Sequence, residues 1–148
     1  MSKLNEAKEE IKRADHLLFV TLKYTRTTDV IKSVIFRLLD SYDNAIIYSL
    51  ENLKKKKKIK DIPLTPISRA ELLKDNNKRD INMIDFLNGY FLLRKIYRAE
   101  YTKKEEFRKH VTLISHLNRR DLNVDIPVIS EYYYKTREFF ALVQQVMK

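Results

Sequence analysis

The sequence predicts an all-α protein, an antiparallel bundle of about five to six helices, in a single domain spanning residues 1–148. Its 148 residues include one glycine and three prolines, too few for the tight turns of a β-sandwich or barrel. Apolar residues form 44% of the chain and recur at steps of three and four, which is the period of an amphipathic helix. Composition and period therefore agree on helices packed around a core.

Two long helices are predicted in the first part of the chain. The first covers 3–23, and the second runs from 28 to 57, capped by Thr27 or Thr28. At about 1.5 Å per residue, the second helix would be about 45 Å long and would form the spine of the fold. The inward stripe of the first helix is Ala7, Ile11, Ala14, Leu18 and Leu22.

The middle of the chain predicts a short helix followed by a buried one. A capping box that begins at Ser68 opens a third helix over 68–76, after a loop that contains two prolines. The fourth helix, 80–100, is apolar nearly all round and is therefore predicted to be central. Gly89 lies inside it, where it either permits a close helix contact or breaks the helix; the continuing pattern favours the contact.

The last third of the chain predicts two more helices. A capping box at Thr102–Glu105 opens a fifth helix over 103–117. Residues 118–127 are polar and extended, and a last helix runs over 128–147 with Met147 facing inward. The apolar stripe of the fifth helix is Phe107, Val111, Ile114 and Leu117.

Residue types that are scarce or absent exclude several classes of function. Because the chain has no cysteine, disulfides, cysteine-based zinc sites and thiol catalysis are excluded. A single glycine excludes the glycine-rich phosphate loops of nucleotide-binding proteins. No apolar stretch approaches the ~18 residues of a membrane span, and the charged N-terminus does not resemble a signal peptide. The predicted location is cytoplasmic, with no cofactor and no metal.

The charge of the chain points to acidic partners. Thirty Lys and Arg face 20 Asp and Glu, a formal net charge of +10. Such a balance favours RNA or another polyanion as partner. The composition, rich in Lys, Ile, Asn and Tyr, leaves open the alternative that the charge reflects an A+T-rich genome.

Candidate phosphate contacts fall into a lysine run and an arginine–tyrosine group. Arginine grips phosphate and tyrosine stacks on bases, so their proximity suits RNA. The alternatives are cations that stabilise a helix end, paired in the second group with nearby glutamates. The candidates are Lys54, Lys55, Lys56, Lys57, Lys58, Arg94, Arg98, Tyr97, Tyr101, Arg108, Arg119 and Arg120.

Two further hypotheses concern catalysis and association. Of the three histidines, His110 lies two residues from Arg108, and this pair is the weak candidate for proton transfer and phosphate stabilisation. Consecutive aromatic residues on the last helix cover more than half of its circumference, so they suggest either a dimer interface or ordinary core. These residues are Tyr132, Tyr133, Tyr134 and Phe140.

Two segments of the chain carry a family resemblance: LNEAKEEIKRADHLLFVTLKYTRTTDVI and, in the following helix, LLDSYDNAIIYSLE. They resemble the HEPN superfamily of small helical bundles, which occur in prokaryotic toxin–antitoxin and RNA-processing systems. The resemblance implies a dimer that acts on RNA or binds nucleotides or a partner protein. The family's ribonuclease motif, an Arg followed four to six residues later by a His, is missing: Arg108 precedes His110 by two residues and His116 by eight. The leading prediction is therefore RNA or polyanion binding without catalysis; the alternatives are a HEPN-type metal-independent ribonuclease and a protein–protein interaction or dimerisation module.

Overall fold

A computed structural model describes residues 2–146 and shows five helices with one small antiparallel sheet. Helix α1 begins with Lys3–His16, continues through a π-helical turn, Leu17–Thr21, and ends in Leu22–Tyr24. The other helices are α2, Thr28–Lys55, α3, Pro66–Asp75, α4, Ile81–Arg98, and α5, Ile126–Val146. The strands are β1, Tyr101–Lys104, β2, Thr112–His116, and β3, Asp121–Val124. The protein is thus mainly helical, but the all-α prediction is wrong for one segment.

Helix α2 is the long central helix that the sequence predicts. Thr27 caps its start, accepting a hydrogen bond from the Val30 amide at 3.3 Å. Its end is a Schellman turn, in which the Lys58 amide donates to the Leu53 carbonyl and the Lys57 amide to that of Lys54. Lys57 takes the left-handed conformation, with φ 60°, so the helix ends two residues before the predicted position.

The short helix α3 begins earlier than the predicted capping box. Thr65 is the cap, accepting from the Ser68 amide at 3.3 Å, and Pro66 occupies the first turn, where a missing N–H costs nothing. The capping box at Ser68 is therefore wrong, although the helix exists.

Helix α4 runs unbroken through Gly89, as the continuing apolar pattern predicts. Asp80 caps its start by accepting from the Met83 amide at 3.0 Å. The predicted close helix contact at Gly89 is wrong, because a Cβ placed there would meet nothing within 4 Å.

The predicted fifth helix is instead the β1–β2 hairpin, and β3 completes a sheet of order β1-β2-β3. Val111, Leu113 and Ser115 are buried in alternation, which is the two-residue period of a strand. The predicted capping box falls in β1 and the following loop, where Glu105 and Phe107 have φ of 56° and 65°. Phe107, expected in the inward stripe, is 75% exposed.

Helix α5 closes the fold against α1 and α2. It begins two residues earlier than predicted, and Met147 lies outside the described residues. Phe139 stacks on Tyr42 of α2 with ring centroids 4.8 Å apart, and both rings are buried. Within residues 2–146, no helix is long and apolar enough to cross a membrane.

Candidate nucleic-acid interface

The last turn of α4 meets the first half of α2 in a cluster of aromatic and cationic side chains. The Lys32 Nζ lies 5.0 Å from the ring centroid of Tyr97 and 4.9 Å from that of Tyr101. The Phe36 ring lies one helical turn beyond Lys32, with its centroid 6.0 Å from that of Tyr97. Because α4 ends at Arg98 and Ala99 is extended, Tyr101 leaves the helix axis and approaches Lys32 from the start of β1.

Two adjoining cavities form one surface depression here, which we call the α2–α4 groove. The larger has a volume of about 620 Å³ and the smaller about 210 Å³, and Phe36 and Tyr97 line both. The larger is lined by Leu17, Asp29, Lys32, Ser33, Phe36, Arg37 and Tyr97. The smaller is lined by Phe36, Leu39, Asp40, Asp43, Arg94, Tyr97 and Arg98. The groove therefore combines open aromatic surface with both signs of charge.

The two predicted arginines of α4 have different surroundings. Arg94 is 14% exposed; its Nη1 lies 3.9 Å from an Asp43 carboxylate oxygen and donates to the Tyr90 hydroxyl at 3.3 Å. The buried Nε of Arg94 has no hydrogen-bond partner among residues 2–146. Arg98 is exposed and forms no ion pair within the same residues. Arg94 therefore serves mainly to neutralise Asp43, whereas Arg98 is available to a ligand.

Behind the groove, one buried carboxylate holds two arginines. The side chain of Glu10 is 6% exposed, and its oxygens accept from Arg13 and, at 3.1 Å, from Arg37. Unpaired, a carboxylate buried this deeply would be strongly unfavourable, so the pairing explains why Arg37 lies along α1. The Arg37 guanidinium also lies 5.5 Å from the Phe36 ring centroid.

Asp40, on the next turn of α2, lies beside this pair. Burial, followed by the negative charge of Glu10 and a hydrogen bond with it, raises the pKa of the Asp40 carboxyl above its ordinary value of 3.8. At pH values between 3.8 and the raised pKa of Asp40, the folded state binds more protons than the unfolded state. Stability therefore falls as the pH rises through that window, and an ionised Asp40 destabilises the fold at neutral pH.

We expect Asp40→Asn to stabilise the protein at neutral pH and to strengthen polyanion binding. The substitution removes a negative charge that faces Glu10 and lines the groove. Urea denaturation of both proteins should show a higher midpoint for Asp40→Asn at pH 7, with the difference shrinking toward pH 3. A lower midpoint at pH 7 would show that the Asp40 carboxylate is stabilising and contradict the raised pKa.

The lysine run lies far from the groove. Lys54 and Lys55 close α2, and all five lysines are exposed. Lys32 and Lys54 are 22 residues apart on the same helix, which corresponds to about 33 Å. The two predicted groups of phosphate contacts are therefore separate surfaces.

Arg108 and His110 lie in the exposed β1–β2 loop, not on a helix. Glu106 fastens this loop to the start of α2, where its carboxylate accepts from the Thr28 amide at 3.0 Å and hydroxyl at 3.1 Å. Thr28 and Asp43, the partner of Arg94, are 15 residues apart on α2, about 22 Å. The structure therefore does not bring Arg108 next to Arg94.

Arg119 and Arg120 lie in the turn between β2 and β3, where the Arg120 carbonyl accepts from the Leu117 amide at 3.0 Å. Both are exposed on the hairpin turn, beyond the residues that line the groove. The sheet therefore carries a third, separate group of cations.

The four aromatic residues proposed as an interface differ in burial. Tyr133 is buried against α1, with its hydroxyl donating to Asp15 at 2.6 Å, and burial followed by this hydrogen bond raises its pKa to about 12. Tyr132 and Phe140 are partly buried, whereas Tyr134 is 48% exposed. Its ring centroid lies 6.4 Å from that of Phe19, which is 44% exposed. Tyr134 and Phe19 are thus the open aromatic surface on this side.

Lys32, Phe36 and Arg37 line the groove but were not among the candidates selected from the sequence. The available signal was Phe36, a large apolar residue between Ile35 and Leu38 but off the inward stripe, now seen to be 44% exposed. Comparison with protein-family models, curated proteins and solved structures finds no match for this chain.

Proposed function

We propose that this protein binds single-stranded RNA in the α2–α4 groove and performs no chemistry on it there. The observation that carries the proposal is the position of Lys32 over the rings of Tyr97 and Tyr101, beside the exposed ring of Phe36. Cations that track a phosphate backbone next to open aromatic rings are typical of single-strand binding surfaces.

The charges of the groove support an anionic ligand. Glu10 is balanced by Arg13 and Arg37, and Asp43 by Arg94. Lys32 and Arg98 form no ion pairs among residues 2–146, so they leave a local positive excess even after the negative charge of Asp40, which also lines the groove, is counted. The net charge of +10 adds a long-range attraction that would raise the rate of association with RNA.

The aromatic side chains favour a single strand over a duplex. Phe36 exposes nearly half of its surface, and stacking of an unpaired base on such a ring contributes about 1–3 kcal/mol. In duplex RNA the bases are already stacked on one another, and proteins read mainly its shape, phosphates and 2′-hydroxyls. Duplex RNA would therefore gain from Lys32 and Arg98 but not from the rings.

The test is binding of labelled single-stranded and duplex RNA of equal length at two salt concentrations, with the same samples then run on a denaturing gel. We expect tighter binding of the single strand, weaker binding at the higher salt, and intact RNA. No binding at low salt would reject the proposal, and equal binding of both RNAs would reject the role of the rings. Cleaved RNA would instead favour the HEPN-type ribonuclease, with Arg108 and His110 as its first candidates.

A further inference from the structure

Three polar side chains on the outer face of the sheet form a hydrogen-bonded chain. The Asp121 Oδ1 lies 2.9 Å from the Nδ1 of His116, and the His116 Nε2 lies 2.5 Å from the Thr102 Oγ1. One residue comes from each strand, and the register sets His116 directly opposite Asp121. All three side chains are exposed, so a small molecule in solution can reach them.

The chemistry of Thr102, His116 and Asp121 determines which atom donates and which accepts in each of the two hydrogen bonds. An ionised carboxylate can only accept, so the proton of a neutral His116 ring lies on Nδ1 and points to Asp121. Nε2 then carries the lone pair and accepts a hydrogen bond from the Thr102 hydroxyl. This is the arrangement of an activated oxygen nucleophile, in which a hydroxyl is hydrogen-bonded to an imidazole and the imidazole is oriented by a carboxylate.

We propose that Thr102 is a nucleophile that accepts an acyl group from an activated carboxylic ester, with His116 as its general base. Asp121 positions the imidazole. The substrate class is an uncharged acyl donor, because a hydroxyl activated by an imidazole base attacks the carbonyl carbon of an activated ester. The site is independent of RNA binding, because Tyr101 faces Lys32 and the next residue, Thr102, lies on the opposite face of β1.

Acyl transfer to Thr102 needs no reactant other than the ester. His116 Nε2 takes the Thr102 hydroxyl proton as the oxygen attacks the carbonyl carbon, and the C=O π electrons move to the carbonyl oxygen. The carbonyl then reforms, the bond to the leaving alkoxide breaks, and the alkoxide receives the proton from the imidazolium.

Lys104 can stabilise the oxyanion in this step. It lies two residues from Thr102 on the same face of β1, about 7 Å away along the strand, and forms no ion pair within residues 2–146. Its ammonium on a flexible stem can therefore approach the negative charge that develops on the carbonyl oxygen.

The experiment is incubation of the full chain with p-nitrophenyl acetate, followed by peptide mass spectrometry of the segment that contains Thr102. We expect one acetyl group on Thr102 as an ester that hydroxylamine removes, which distinguishes it from acetylated lysine. His116→Gln should slow its formation about 100-fold. Because Thr102 and His116 are exposed, the variants should melt at the temperature of the unmodified protein.

Thr112→Val is the matched control, since Thr112 also lies on the outer face, with its hydroxyl donating to the His110 carbonyl at 2.8 Å. It should leave acetylation of Thr102 unchanged, whereas Thr102→Val should abolish the ester. Absence of the ester from the unmodified chain, or its formation at the same rate in His116→Gln, would overturn the proposal. RNA binding measured on the same variants should be unaffected, so the two proposals fail or stand separately.

Discussion

Replacing Lys32 and Arg98 together by glutamine is expected to weaken the binding of single-stranded RNA about 25-fold at a salt concentration of about 0.1 M. Affinity for a single strand falls with salt to a power of about 0.7 for each neutralised phosphate, so each lost contact costs about fivefold there. Dissociation constants measured over a series of salt concentrations should also give a log–log slope that is shallower by about 1.4. Neither side chain forms an ion pair within residues 2–146, so the variant should fold normally.

The matched control is the double substitution of Lys55 and Lys56 by glutamine. It removes the same charge from exposed positions at the far end of α2, more than 20 residues from Lys32. If the groove is the binding surface, this control should change the affinity less than about twofold, through the long-range field alone. The opposite result, a large loss with the lysine run and none with Lys32 and Arg98, would move the site to the run and contradict the groove.

The sequence identified half of this surface because half of it is local. Tyr97, Arg98 and Tyr101 lie within one stretch of five residues at the end of a helix, so they are close to one another because they are close in the chain. Lys32 is 65 residues from Tyr97, and the contact between them depends on how α2 packs against α4. Periodicity indicates which face of each helix is inward, but it does not give the register between two helices.

Ion pairs between side chains on different helices could not be predicted from the sequence for the same reason. Arg94 was predicted to contact phosphate, but it is mostly buried, and its positive charge lies 3.9 Å from a carboxylate oxygen of Asp43. Two charges that meet across helices cannot be recognised from their spacing in the chain. The proposed binding of RNA in the groove therefore relies on Lys32 more than on Arg94. Of the two, only Arg94 belonged to a group of basic residues that could be recognised in the sequence.

The helices were predictable because several local signals agreed in each. In α2 the apolar stripe, the Thr27 cap and the acidic first turn indicate the same boundaries, and the structure confirms its start. The segment 103–117 differs, because its apolar residues satisfy two periods. Phe107, Val111, Ile114 and Leu117 fit a helix, whereas Val111, Leu113 and Ser115 fit a strand.

Two observations resolve that ambiguity in favour of the strand. Val111 to Ile114 is rich in β-branched residues, which lose side-chain freedom in a helix and pack well on a sheet. The buried Ser115 hydroxyl donates to the Ile96 carbonyl at 3.2 Å, which fastens β2 to the last turns of α4. A serine was not counted as a core position, so this signal was missed.

Leu113→Ala is expected to destabilise the protein by about 3 kcal/mol or more, and Ile114→Ala by about 1 kcal/mol. Leu113 is 1% exposed and faces the helices, so truncation leaves a cavity, whereas Ile114 lies on the partly open outer face of the sheet. A helix over 103–117 predicts the reverse order, because Ile114 would be in its inward stripe and Leu113 outside it. Free energies of unfolding from urea denaturation of the two variants decide between them, and a greater loss for Ile114→Ala would contradict the β2 strand.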